Sequence, residues 1–188
     1  MSENEKGSGV VCRDGPRPTV GSCPASHTSL PAPSLSTLIL GIGNILLSDE
    51  GVGVRAIEAM ARLDLPPGVE LVDGGTSGAD LVDLIADRRK VIVIDAIDAG
   101  AEPGTLFRLS PDDLVPDEGQ PISLHQLGLV ESLLIARCLR CSPQEVVIFG
   151  VQPKRIAPGL DLTLELAAAV PQVIRAVLAE IGAPGPYP

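Results

Sequence analysis

The stretch Leu38-Ile39-Leu40-Gly41-Ile42-Gly43-Asn44-Ile45-Leu46-Leu47-Ser48-Asp49-Glu50-Gly51-Val52-Gly53-Val54-Arg55 decides the fold. An apolar run meets a glycine-rich turn, and two adjacent carboxylates follow where a helix should begin. Leu38 to Gly43 reads as a strand. Gly43 and Asn44 tolerate the positive φ of a tight turn, and Ser48 or Asp49 can cap the helix that follows. Val54, Ile57 and Ala61 fall on one face at helical spacing, in a helix running to about Leu63. Glycines at such a turn commonly make room for a phosphate. Here Gly41-x-Gly43 begins a dinucleotide fingerprint, but its third glycine position is Leu46. Asp49 and Glu50 would also repel a pyrophosphate at the helix start. A nucleotide-binding oxidoreductase is therefore disfavoured, and no nucleotide cofactor is expected.

The same strand–helix pattern recurs downstream. Pro66-Pro67-Gly68 closes the first unit. Val69 to Val72 is a second strand, ended by Asp73-Gly74-Gly75-Thr76-Ser77-Gly78, and Leu81, Leu84 and Ile85 mark a short helix. Lys90 to Ile94 is a third strand, fully apolar after Lys90 and ending at Asp95-Ala96. Gly104 to Leu109, after Pro103, suits an antiparallel edge strand. Ser110 to Ser123 is an acidic, proline-containing loop. Helical spacing resumes at His125 and continues through Leu127, Val130, Leu134 and Cys138. Val146 to Val151 is the last strand, and Leu162 to Ile181 a closing helix that Pro171 should kink or break. Strands alternating with helices imply right-handed crossovers. The expected fold is α/β: a single doubly wound domain with a mostly parallel sheet of about five strands and helices on both faces.

Composition agrees. The 188 residues are 45% hydrophobic but only 2% aromatic, so the core must be aliphatic, as in strands buried on both faces. A formal charge of -10 has the wrong sign for a nucleic-acid or anionic-membrane binder. No apolar stretch approaches the roughly 20 residues of a membrane helix. Residues 1–36 carry glycines, prolines and serines without a hydrophobic signal segment, and are expected to be a disordered extension. The folded domain is expected over 37–182, with a tail over 183–188. A cytoplasmic monomer is the default expectation, since no apolar interface stripe is left over. Of the four cysteines, Cys12 and Cys23 lie in the extension. Cys138-Leu139-Arg140-Cys141 is a lone C-x-x-C without a second pair to complete a zinc site, and reads as structural or incidental.

In an open parallel sheet, ligands bind beyond the carboxyl ends of the strands. Three strand ends here lead to acidic groups: the first to Asp49 and Glu50, the second to Asp73, the third to Asp95. The loop after the edge strand delivers His125; the other histidine, His27, is in the extension. Each has a plain structural explanation. Asp49 suits a helix N-cap, Glu50 the positive end of a helix dipole, and Asp73 before two glycines a turn. His125 alone would suit a satisfied surface or core residue. Asp95 is harder to dismiss, because a charge ending an aliphatic run is expensive if unpaired. Together, Glu50, Asp95 and His125 make a site with oxygen and nitrogen ligands plausible. Such a set suits nickel, zinc, manganese or iron without choosing among them, and leaves coordination positions open.

The segment Gly41 to Gly53 closely resembles the opening motif of nickel–iron hydrogenase maturation proteases. The resemblance continues through Asp73 to Gly78, Ile94-Asp95-Ala96, His125-Gln126-Leu127-Gly128 and Phe149-Gly150-Val151-Gln152-Pro153. The blocks come in family order and span about residues 37 to 182. The resemblance implies an endopeptidase of doubly wound α/β fold. Such enzymes remove the C-terminal extension of a hydrogenase large-subunit precursor after nickel insertion. The family's metal-contacting Glu, Asp and His fall on Glu50, Asp95 and His125, and Asp73 matches a further acidic position beside the cleft. The nickel contacted would be the one in the precursor, serving as recognition element, and Asp95 or Asp73 could be the general base. The extension over 1–36 departs from the family's usual short form and is read as a start artefact in preference to a docking tail. The alternative from another class is a non-catalytic nickel-checking or assembly protein that binds the metallated precursor without cutting it.

Overall fold

The structure, a computed structural model, describes residues 36–77, 81–114 and 124–183, all within one unit of the chain, Pro33–Pro188. The expected extension over 1–36 lies outside the described residues except for Ser36, as does the tail beyond residue 183. The elements in order are β1 (Thr37–Ile42), a 3-10 turn (Asp49–Gly51), α1 (Val52–Met60), β2 (Val69–Gly75), α2 (Leu81–Ile85) and β3 (Lys90–Ala96). They continue with β4 (Leu106–Leu109), a second 3-10 turn (Pro111–Leu114), α3 (Leu124–Leu139), β5 (Glu145–Val151) and α4 (Leu164–Glu180).

The sheet order is β2-β1-β3-β5-β4. β1 pairs in parallel with β2 and β3, and β3 with β5. β4 alone runs antiparallel, along β5, as the Pro103-Gly104 turn suggested. Alternation along the strands divides the core in two. Ile39, Ile92, Ile94, Val147 and Phe149 face α1 and α4. Leu38, Leu40, Val91, Val93 and Ile148 face α2 and α3. A crossover of constant hand must change face when it changes direction. The chain does so between β1→β2, which passes over α1, and β2→β3, which passes over α2. The reversal opens a crevice between the carboxyl ends of β1 and β3, where a doubly wound sheet binds ligands.

Two elements depart from the sequence expectation. Pro171 does not interrupt α4, which runs through it as one helix. Leu166, Ala169, Val173, Ile174, Val177 and Leu178 are buried on both sides of the proline, and that packing outweighs the lost backbone bond. In α3 the expected stripe through Leu134 and Cys138 is exposed, and the buried positions among the described side chains are Gly128, Leu129, Ser132 and Ala136. Ser132 Oγ donates to the Gly128 carbonyl at 2.8 Å, so a hydroxyl can occupy the inward face. Cys138 and Cys141 sit at this helix's far end, next to the amino end of β5.

At the start of β3, Lys90 Nζ lies 2.6 Å from Glu180 Oε1 and 2.9 Å from Glu145 Oε1. Arg108 Nε lies 2.9 Å from Glu180 Oε2, so one carboxylate ties β3, β4 and the end of α4 together. The Arg108 guanidinium, and then Lys90, hold the Glu180 carboxyl down from its ordinary 4.5 to about 2 against the effect of burial. A depressed carboxyl stabilises the native state above its ordinary value and loses that contribution as the pH falls through the folded value. Glu180→Gln should therefore destabilise the protein at neutral pH by on the order of 1 kcal/mol. Denaturation midpoints of the two proteins should converge as the pH falls toward 2. A difference that does not change with pH would contradict this.

Candidate active site

The turn after β1 is shaped by close backbone approach. A Cβ at Gly53 would collide with the carbonyl oxygens of Ile42 and Ile94, and one at Gly41 with the carbonyl of Gly53. The glycines thus let α1 settle directly on β1 and β3. Gly43 has φ 138°, and a Cβ there would strike the Glu50 carbonyl. Gly43 N–H donates to the Gly75 carbonyl at 2.8 Å, tying the turn to the end of β2. These contacts place the backbone of Glu50 against the carboxyl end of β1. Space for a backbone, not for a phosphate, accounts for the glycines.

Glu50 and Asp95 are brought together across the crevice. Glu50 is half-buried, with Oε2 sealed from solvent. Asp95, one residue from the end of β3, is 3% exposed. Its Oδ1 accepts from its neighbour's amide, Ala96 N–H, at 2.8 Å. Burial pushes the Asp95 carboxyl well above its usual range; the Ala96 amide opposes this, and the charge of Glu50 adds to it. Two carboxyl groups at one site disfavour each other's ionisation. A cation placed beside them removes the penalty.

Asp73 occupies a different position. It lies within β2, two residues before the strand's end at Gly75 and not after its end as the sequence suggested, on the far side of β1 from β3 and in register with Gly41. It is exposed, and its Oδ1 accepts from Gly75 N–H at 2.8 Å, the turn-forming bond its sequence suggested. His125 is the second residue of α3. The 16 residues of that helix span about 24 Å. Since α3 ends next to the amino end of β5, its start lies at the carboxyl edge of the sheet. The side chain of His125 lies outside the described residues. Among the described side chains no group of three metal ligands forms.

Asp49 is not the helix cap its position suggested. It is completely buried, and its side chain makes no cap bond to the helix that follows. Its Oδ2 accepts from Lys154 N–H at 3.0 Å, Arg155 N–H at 2.9 Å and Thr163 Oγ1 at 3.0 Å, while Oδ1 accepts from Thr163 N–H at 2.7 Å. Thr163 is the N-cap residue of α4, so the carboxylate fastens the β1 turn to the loop that enters α4. The adjacent Ser48 N–H donates to the Gly159 carbonyl at 2.9 Å, and Gly159 N–H to the Leu46 carbonyl at 2.9 Å. Gln152 clamps the other side. It is 5% exposed; its Oε1 accepts from Ala99 N–H and Ala101 N–H, and its Nε2 donates to Asp98. The loop leaving Asp95 is thereby fixed to the end of β5. A polar residue directly after an aliphatic strand was the available signal for Gln152. The partners of Asp49, more than a hundred positions away, left none.

The doubly wound α/β domain thus carries a sealed carboxyl and a second acidic group at its switch point. Residues 54–180 match the hydrogenase maturation protease family, and the chain belongs to that family. It is accordingly a hydrolase of the peptidase class. It is 38% identical over 146 residues to the hydrogenase 2 maturation protease of Escherichia coli K12, covering 77% of this chain and 89% of that protein. It is 40% identical over 148 residues to the hydrogenase expression/formation protein HupD of Rhizobium leguminosarum bv. viciae, covering 77% and 73%. The hydrogenase maturating endopeptidase HybD from E. coli superposes with a TM-score of 0.72 at 37% identity, over 78% of this chain and 92% of that one.

Proposed function

We propose that this protein is the endopeptidase that removes the C-terminal extension of a nickel–iron hydrogenase large-subunit precursor once nickel is in place. Nickel already seated in the precursor is the recognition element, contacted by Glu50, Asp95 and His125. The observation that carries this reading is the sealed Asp95 carboxyl with the charge of Glu50 beside it. A metal dication in the substrate relieves that penalty, and a precursor without metal does not. Membership of a protease family whose relatives are named for hydrogenase maturation supports the substrate.

Hydrolysis needs a water activated toward the scissile carbonyl. Asp95 is the better-placed general base of the two candidates, because it lies at the crevice beside Glu50. Asp73 is exposed and already engaged with Gly75. Incubating the purified protein with nickel-loaded precursor should shorten the precursor by a C-terminal peptide, read by intact-mass measurement. Glu50→Gln and His125→Ala should each lower the rate by about 10²-fold or more while leaving thermal unfolding cooperative. Normal cleavage by either variant removes that residue from the mechanism. A precursor that is bound but never shortened makes the protein a nickel-checking assembly factor instead.

A further inference from the structure

The two segments tied together by Asp49 carry large apolar side chains that nothing in the described structure covers. Leu46 is 59% exposed on the β1 turn; Ile156 and Leu160 are 51% and 61% exposed on the facing loop; Leu164, at the start of α4, is 87% exposed. Backbone pairing holds these segments side by side, with Leu47 opposite Gly159 and Ser48 opposite Ile156. The expectation that no apolar stripe is left over does not hold on this face. A loop free to relax would turn its leucines inward. This one is held by four hydrogen bonds to the buried Asp49 carboxylate and by the Arg55 guanidinium on the Leu160 carbonyl at 2.9 Å. Clustered apolar side chains on a fixed backbone mark an interaction surface, and the fixed backbone lowers the ordering cost of binding.

We infer that Leu46, Ile156, Leu160 and Leu164 form the docking surface for the folded large-subunit precursor, taking an apolar surface of that protein beside its C-terminal extension. This rests on the function proposed above. The occupant follows from continuity with the site: Leu46 is on the same turn as Glu50, and Asp49 joins both to the loop carrying Ile156 and Leu160. Whatever grips this surface is held at the crevice. The chain's own residues 1–35 are poor occupants, with Val10, Val11, Val20, Leu30 and Leu35 as their only branched aliphatic side chains and no aromatic ones. A second copy seated here would compete with substrate for the Glu50 turn.

The test compares wild type with the double variant Leu46→Ser/Leu160→Ser, and with Leu139→Ser as a control. Leu139 is 66% exposed at the far end of α3. Processing rate is measured against precursor concentration, alongside sedimentation of the protease alone and thermal unfolding. The double variant should raise KM about tenfold or more, with kcat within about twofold and unfolding unchanged; the control should match wild type. An unchanged KM in the double variant, while wild type cleaves, overturns the docking surface and leaves the proposed function standing. So does a wild-type dimer that the double variant dissociates without loss of processing. Wild type that neither binds nor cleaves the precursor overturns both.

Discussion

Asp95→Asn should abolish processing and raise the stability of the protein. The first effect follows from the role proposed for the carboxylate: loss of a general base costs about 10²–10⁴-fold in rate, and loss of a contact to the substrate's metal adds to it. The second follows from the cost of the native carboxylate. Its folded value is raised above the ordinary 3.8, mainly by burial, so the native state binds a proton at pH values where the unfolded chain releases it. Stability therefore falls as the pH rises from the ordinary value through the raised one. Asn cannot ionise, its Oδ1 can still accept from Ala96 N–H, and its amide can donate toward Glu50. Relief of such a strained functional group is worth about 0.5–2 kcal/mol. Denaturant midpoints of the two proteins should be close in acid and separate as the pH rises, with the variant the more stable. A variant that is less stable at neutral pH would contradict the burial argument, and one that still processes would contradict the role.

Asp49→Ala should have the opposite signature, with stability and binding lost together. Removing the carboxylate strands the amides of Lys154, Arg155 and Thr163 and the Thr163 hydroxyl. Water can rescue some of them, so the expected cost is about 3 kcal/mol. For a chain of this size that lowers Tm by about 6–12 °C. Asp49→Asn should be little better, since its amide group would point N–H at N–H. The loop bearing Ile156 and Leu160 loses its anchor, so KM for the precursor rises even below the new Tm. A melting temperature within about 2 °C of wild type would show that the anchor is not needed.

The contrast between Asp49 and Asp95 shows where sequence reasoning succeeds and where it stops. The burial of Asp95 was legible because its cause is local: a carboxylate at the end of Val91-Ile92-Val93-Ile94 is carried inward by the strand it ends. The strands, their order of chemistry at the carboxyl edge and the antiparallel β4 were legible for the same reason, through aliphatic runs broken by Gly, Pro and Asp. Asp49 looked like a helix cap because Asp before a helix usually is one. Its donors come from residues 154, 155 and 163, which only the closed fold brings near. Pro171 misled in the same way, since local propensity yields to the buried face of α4. In α3 the inward face includes Ser132, whose hydroxyl is satisfied by its own helix, so an apolar-spacing search selects the wrong stripe.

The central claim, that nickel in the substrate is what the carboxylates of the cleft recognise, is tested most directly by intact-mass measurement. The large-subunit precursor is incubated with the wild-type protein in two forms, nickel-loaded and nickel-free. The account predicts loss of a C-terminal peptide from the loaded form and an unchanged mass for the nickel-free form. Equal shortening of both would contradict it, and shortening of neither would contradict the cleavage on which it is read.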